Sequence, residues 1–458
     1  MKQYTDILIV GGGSSGFGAA YRILCHGKYT VTLVEPNPGL GGTSTYGGIN
    51  CWEPGYSGHG VHHVLAELLQ KEGSGFVGKT YVFASDLTPW GRSGPCSDPY
   101  EETLIRSFRT ETEQRRFHFE PEAMAYTMLK LLHCADSAQK ATCLFHSRVT
   151  TVEATGRRIT AITAETPEGP RTIIPKLVLD CTGDLIVARS AGCACALGED
   201  AQSVYGEPNA PECAQSIVNG LTLAFRVTPC PSDYIEEIPV EYADVDLSDW
   251  LTELNRTNRP LSCFSDYPNG DININMLPTL PGEYWLNHTY EEVMHICKAR
   301  IYAYWNWIQV KKHFTGYRIK EIFPMPGIRE SWRLLGKYVL KEQDLRNGFS
   351  AELGPERTVA YADHPADLHG KSNKKGGMTM FAPYGIPYEC LLPREIDNLL
   401  VACRGASFSH IALSSVRLSR TMMALGEAAG EAAVLALDQD CAPEQIDLSK
   451  LRSALGIQ

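Results

Sequence analysis

The sequence predicts an α/β chain: a mostly parallel sheet with a β-meander, interrupted by an inserted α+β cap. Three observations lead there. Apolar runs of strand length, at Ile7–Val10 and Leu177–Asp180, each lead into a glycine-containing turn. A helical pattern and a second apolar run follow the first of them. Between about Asp200 and Lys320 the texture changes to clustered prolines and one long helical stripe. The expected division is 1–198 and 326–458 for the sheet domain and 199–325 for the cap.

The first run, Ile7-Leu8-Ile9-Val10, opens into Gly11-Gly12-Gly13-Ser14-Ser15-Gly16, which fits G-x-G-x-x-G. Phe17 to Leu24 begin a helix, Gly27 stops it, and Val31–Val34 form the next strand. Strand, turn, helix and strand together make a Rossmann-like dinucleotide site. Gly11 permits the tight turn, Gly13 lets the backbone approach a pyrophosphate, and Gly16 lets helix pack on strand. Ser14 and Ser15 stand at the helix N-terminus, where free N–H groups and the helix dipole favour phosphate. Glu35, about 20 residues beyond the last glycine, accepts bonds from a ribose 2′-hydroxyl. An acid there suits FAD or NAD rather than NADP. Gly41 to Asn50 follow, dense in small residues and hydroxyls, so backbone can lie against a flat ring system. This second feature favours FAD.

Gly73 to Thr80 also match a P-loop, and the first six match G-x-G-x-x-G. Val61, Val64, Leu65, Leu68 and Leu69 before them have helical spacing, whereas a P-loop needs a strand there. The stretch is read as a helix C-cap and surface loop, with Tyr81–Ala84 extended. A helix from Pro121 to Leu132 comes next. Strands then follow at Cys143–Phe145, Arg148–Val152, Ile159–Ile162, Thr172–Ile174 and Leu177–Asp180. Thr182-Gly183-Asp184 turn the last one, as if the chain returned to the first sheet. A helix from Tyr290 to about Phe314 buries Val293, Cys297, Ile301, Tyr304 and Ile308. Trp285, Trp305 and Trp307 divide between core and pocket. Arg329 and Arg333 would share one helix face, as an ion-pair cluster or as an anion site. Asn398–Arg404 contains a buried strand, and Ile411 to Leu437 a helix.

The net charge is −11, with 53 acidic against 42 basic residues. This argues against a nucleic-acid or anionic-membrane partner. No apolar run reaches the ~18 residues of a membrane span, and no secretory leader is apparent, so a cytoplasmic location is expected. The 15 cysteines are scattered and odd in number, which favours free thiols. Cys193-x-Cys195 lacks a second pair, so no metal is expected.

Four segments together resemble the FAD-dependent oxidoreductases related to fumarate reductase and succinate dehydrogenase flavoproteins, with the glutathione-reductase-type FAD fold. They are Gly11–Gly16 with Glu35, Gly41–Asn50, Pro326–Leu340 and Ile386–Ala433, supported by Val178–Asp184. The resemblance implies one FAD and a redox reaction with a small-molecule substrate, but names no substrate. It assigns Gly11, Gly13, Ser14, Ser15 and Gly16 to the pyrophosphate and Glu35 to the ribose. It assigns Gly42, Thr43 and Thr45 to the flavin loop and the Val149 backbone to adenine. Thr182, Gly183 and Asp184 match the returning turn, and Ser414, Ser415 and Arg417 the segment beside the flavin ring. Three positions depart from the pattern. Ser44 and Thr45 stand where tethering relatives carry histidine, Leu185 and Ile186 replace Gly-Asp after Asp184, and Cys403 replaces glycine.

The reaction expected is hydride exchange between a substrate carbon and flavin N5. Candidates for proton transfer and charge stabilisation are His410, Arg329, Arg333 and His369, with His410 at the head of the flavin-side helix. No second dinucleotide motif is present, so electrons would pass on to a separate acceptor or donor. Alternative readings are an electron-transfer subunit of a larger complex and, against the acidic balance, a flavin-dependent RNA-modifying enzyme. A homo-oligomer is compatible with the sequence.

Overall fold

Ile7 to Val10 carry only apolar side chains, and they form the buried inner half of β1 (Lys2–Val10). β1 lies between β2 (Val31–Val34) and β3 (Gly169–Asp180), all parallel. Ala141–Leu144 extend the sheet beyond β2, and β4 (Leu399–Val401) pairs with the end of β3, again parallel. The hairpin of Arg148–Thr155 and Arg158–Thr166 adds antiparallel strands along the first half of β3, which is the expected β-meander. The computed structural model describes residues 2–56, 60–81, 92–106, 110–258, 262–276, 278–350, 352–369 and 381–457. Of the extended stretch expected at Tyr81–Ala84, residues 82 to 84 lie outside these.

β3 is one strand where two short ones were expected. It runs through Pro175, which faces Thr5 of β1. The meander's pairing stops at Ile173, so the missing N–H of Pro175 falls beyond that antiparallel ladder.

A second, eight-stranded sheet runs Tyr317–Ile322, Ala224–Pro229, Ile272–Met276, Ser262–Asp266, Arg92–Pro95, Gly75–Tyr81, Arg115–Phe119, Cys51–Trp52. Half of its strands precede residue 120, so the stretch 199–325 shares its sheet with an N-terminal stretch rather than standing as a self-contained insert. The P-loop-like segment shows why sequence missed this. The helix before it, α2 (Val61–Lys71), forms as expected and ends near Gly73 (φ 73°). Gly75–Tyr81 is then a strand paired on both sides, not a surface loop. Its glycines answer to neighbours: a Cβ on Gly75 would lie 2.7 Å from the Phe117 ring, and one on Gly78 2.4 Å from His118.

The helices cover these sheets. α1 (Ser14–His26) follows β1 and stops at Gly27 in the left-handed region. α3 (Pro121–Ala135) begins with proline at its first turn. α4 (Tyr290–Lys312) starts with a Thr289–Glu292 capping box and buries the predicted stripe, with Trp305 and Trp307, in a second core. Trp285 instead lines a cavity. The single helix expected from Ile411 to Leu437 is two, α5 (His410–Val416) and α6 (Ser419–Asp438). Leu418 is extended between them (ψ 149°). Pro326–Arg333 is not helical, so Arg329 and Arg333 share no helix face. No helix among the described residues is long and apolar enough to cross a membrane.

α6 packs on α1 through backbone. A Cβ on Gly426 would lie 1.9 Å from the Ser15 carbonyl, and one on Gly430 2.7 Å from that of Ala19. Neither carbonyl can retreat without moving α1, which carries the first nucleotide turn. Gly426→Val is therefore expected to destabilise the chain by about 2 kcal/mol or more, read as a lower midpoint in denaturant unfolding.

Candidate active site

β1, β2 and β3 end along one edge of their sheet, and a cavity of about 1300 Å³ opens there. It exceeds the ~300–1,000 Å³ typical of a single-ligand pocket. At its outer end are Gly11, Gly13, Ser14 and Ser15. Gly11 has φ 96°, and a Cβ there would lie 2.8 Å from the Cys181 carbonyl. Gly16 does not line the cavity; a Cβ on it would run into the Gly11 carbonyl at 1.8 Å, so its role is close packing. Gly13 is the N-cap of α1. No side chain caps it, the first turn holds no acid, and a Cβ on Gly13 would meet nothing within 4 Å. Free N–H donors thus face open space, the donor set a pyrophosphate needs.

Glu35 lines the cavity beyond β2, as do Val149 and the unpredicted Asn37 and Arg148. Glu35 Oε2 accepts the Gly12 N–H at 2.6 Å, and Oε1 accepts the Asn37 N–H at 2.9 Å. Burial raises its pKa, and these bonds lower it in part. Gly42 and Thr43 line the cavity. Thr45 does not; its hydroxyl donates to the Leu40 carbonyl at 2.8 Å. Thr182, Gly183 and Asp184 line it too, with Asp184 held by Arg404 at 3.0 Å. The next residue, Leu185, is buried in the left-handed region at φ 54°, a strained place for a branched side chain.

The inner end is built from both sheets and holds most of the charge. Cys51 to Tyr56 come from the second sheet's edge, and His364, Asp367 and His369 from the segment after Ala362. Arg106, Arg116 and Arg420 gather there without any motif to announce them. Burial alone would raise the Glu53 carboxyl, but Arg116 and Arg106 outweigh it and hold it at about 2. Arg417 projects from the break between α5 and α6 and donates to Asp367 at 2.9 Å. His369 Nε2 lies 2.7 Å from the same Asp367 oxygen. Burial would raise Asp367, but His369 and Arg417 hold it well below the usual carboxylate range. Burial and the nearby Arg329 cation push His369 down to about 4, so its ring is neutral at pH 7. With Nε2–H directed at Asp367, Nδ1 is an acceptor with no protein partner among the described residues.

Arg329 lines this inner end and donates through Nη1 to the Gly220 carbonyl (2.8 Å) and Thr222 Oγ1 (2.5 Å). Burial and Arg417 push its pKa down to about 9. Arg333 and His410, however, do not reach the cavity. Arg333 is buried against Asp200 (2.7 Å) and Glu330 (3.2 Å). His410 Nδ1 lies 2.9 Å from Glu330 and Nε2 3.4 Å from Glu199. Both belong to an ion cluster at the head of α5, where Glu330 and Glu199 hold the His410 ring and Asp200 accepts its backbone N–H. Ser414 and Ser415 are also behind the wall: Ser414 donates to the Ile411 carbonyl at 2.7 Å and Ser415 bonds to Tyr384 and to the His364 carbonyl. Cys403 does line the cavity, but burial raises its thiol well above the ordinary value, as burial raises Cys193 and Cys195. All three are therefore protonated. Among the described residues no group of His, Cys, Asp and Glu could hold a metal.

A parallel sheet ending at a glycine-rich anion turn, opening on a charged inner chamber, defines a dinucleotide-dependent redox protein. The chain belongs to the FAD dependent oxidoreductase family, whose model matches residues 6–455. FAD is accordingly its cofactor, and the chain is an enzyme of that class. Among solved structures it is similar to a geranylgeranyl bacteriochlorophyll reductase-like protein from Thermoplasma acidophilum. Identity there is 11%, coverage 99% of this chain and 83% of the other, and the TM-score 0.46. It is also similar to p-nitrophenol 4-monooxygenase from Pseudomonas putida (9% identity, 97% and 82% coverage, TM-score 0.43). A third likeness is the myxobacterial chondrochloren halogenase (10% identity, 99% and 78% coverage, TM-score 0.43).

Two outcomes check this assignment of residues. Gly13→Ala should still fold, since a Cβ there meets nothing within 4 Å, yet lose FAD affinity at least ~10-fold by occupying phosphate space; flavin content after purification reads it directly. His410 tests the ion cluster. Burial disfavours its cation, but Glu330 and Glu199 outweigh that and raise its pKa from 6.5 to about 9. The resulting stability, about 3 kcal/mol at most, is fully present below pH 6.5 and lost as pH rises through 9. Glu330→Gln should flatten that part of the wild-type stability–pH curve.

Proposed function

We propose that this enzyme exchanges a hydride between FAD and a carbon of a small organic substrate held at the inner end of the cavity. The observation that carries the reading is the Asp367–His369 pair, lining the same cavity as the Gly11–Ser15 turn. FAD, when bound, supplies the two-electron acceptor or donor. The remaining tasks fall to the chain. Gly13 and the head of α1 bind the pyrophosphate, and Glu35 the ribose.

At the inner end, Asp367 fixes the His369 tautomer and ring orientation, and Arg417 fixes Asp367. The neutral ring presents the Nδ1 lone pair, which takes the hydroxyl proton as an alcohol carbon is oxidised and returns it in the reverse direction. Arg329 stabilises negative charge developing on substrate oxygen.

The kinship with fumarate reductase flavoproteins belongs to this reading and is supported by the four sequence segments. So does the lack of a built-in NAD(P)H domain: the described residues show one glycine-rich nucleotide turn, and most of the second match, Gly73–Thr80, lies in the strand Gly75–Tyr81. Electrons then pass between FAD and a separate acceptor or donor.

His369→Asn is expected to keep full FAD content while lowering substrate-driven bleaching of the flavin band near ~450 nm by ~10²–10⁴-fold. Protonation of Nδ1 should also cut kcat/KM as pH falls through about 4. An unchanged rate in the variant would remove His369 from the reaction.

A further inference from the structure

Arg329 and His369 are anchored on opposite sides of one residue. The Gly220 carbonyl accepts from Arg329 Nη1 at 2.8 Å, while the Gly220 N–H donates to the His369 carbonyl at 3.0 Å. The preceding residue locks the arrangement. Asn219 Oδ1 accepts the His369 N–H at 2.7 Å, and the Asn219 N–H and Nδ2 donate to Glu330 Oε2 at 2.9 and 2.6 Å. Two side chains of different chemistry are thus held close together on one cavity wall.

Their bonding is incomplete in complementary ways. Arg329 is only 8% exposed, yet it has no carboxylate partner among the described residues. Of the other inner arginines, three face a carboxylate, and Arg420, which has none among the described residues, fills three acceptors against two for Arg329. Arg417 faces Asp367, while Arg106 and Arg116 face Glu53. Arg420 donates to Thr103 Oγ1 and to two backbone carbonyls. Asp367 acts on Arg329 only through space and is already bonded to Arg417 and His369, so this buried cation calls for an anion of its own. His369 Nδ1, by contrast, calls for a donor. A simple dicarboxylate offers acceptors only and leaves Nδ1 unmet. A neutral alcohol meets Nδ1 and leaves Arg329 uncompensated.

We infer that the inner end binds a small 2-hydroxy acid, its carboxylate on Arg329 and its adjacent hydroxyl donating to His369 Nδ1. The inference rests on the proposed hydride reading and adds the substrate class to it.

Glycolate, the smallest molecule with both groups, is the probe. Titrated into holoenzyme, it should perturb the flavin spectrum saturably, and bind at least ~10-fold more tightly than acetate or ethylene glycol. Arg329→Gln should weaken glycolate at least ~10-fold, retain one FAD per chain, and leave ethylene glycol unaffected. Arg329→Lys, which keeps the charge, should fall between and guards against a variant that fails to fold. Glycolate binding that is absent, or indifferent to Arg329→Gln, overturns the inference. Loss of FAD from Arg329→Gln and Arg329→Lys alike would assign Arg329 to the cofactor and overturn it too. Bleaching by a neutral alcohol without Arg329-dependent glycolate binding would leave the hydride reading standing and remove the acid. Arg329-dependent glycolate binding, with His369→Asn reduced as fast as wild type, would keep the acid site and remove the proton-transfer reading.

Discussion

One buried carboxylate ties the working parts together. Glu330 is fully enclosed, and its two oxygens reach His410 at the head of α5, Arg333 beside the loop that follows β4, and Asn219. Taking such an acid from water is expensive unless every lone pair is met. Burial would raise its pKa, but His410 and Arg333 keep it ionised. Because Asn219 in turn holds the His369 backbone, the cluster behind the helix and the chamber in front of it are parts of one hydrogen-bonded frame. Residues such as His410 and Arg333, which resemble catalytic groups in a sequence, work here as supports.

The cavity draws its two ends from different constraints. The outer end is made by backbone: a positive-φ glycine, an uncapped helix and a strand terminus. The inner end is made by charge, with arginines brought from distant positions and met by Glu53 and Asp367. Backbone geometry suits a cofactor whose phosphates are invariant. Side-chain charge suits a smaller ligand whose identity differs among enzymes of similar fold.

What could be read in the sequence follows the same division. β1, α1, β2 and the Gly11–Gly16 turn were legible because local propensity, periodicity and turn chemistry agree there. The returning strand at Leu177–Asp180 and the α4 stripe were legible for the same reason. The second sheet was not, since Gly75 and Gly78 look like loop residues until Phe117 and His118 are placed against them. The break after Val416 has no glycine or proline to signal it, so the resemblance points to Arg417 but not to the helix break from which it reaches Asp367. Arg106, Arg116 and Arg420 carry no spacing at all; only folding brings them to Glu53. His410 illustrates the opposite error. It is the first residue of α5, and its ring goes to Glu330 and Glu199, acids that lie far from it in sequence.

β3 has a consequence for how the molecule is made. Its first half pairs with the adjacent meander, but its last residues, Val178 to Asp180, pair with Leu399 to Val401 near the other end of the chain. The strand end that shapes the nucleotide turn therefore lacks one neighbour until synthesis has passed Val401. Such distant pairings form late and slowly. α6, whose glycines seat α1, is made later still. The nucleotide turn thus gains its full set of neighbours only once Ser419–Asp438 has been made, long after the turn itself.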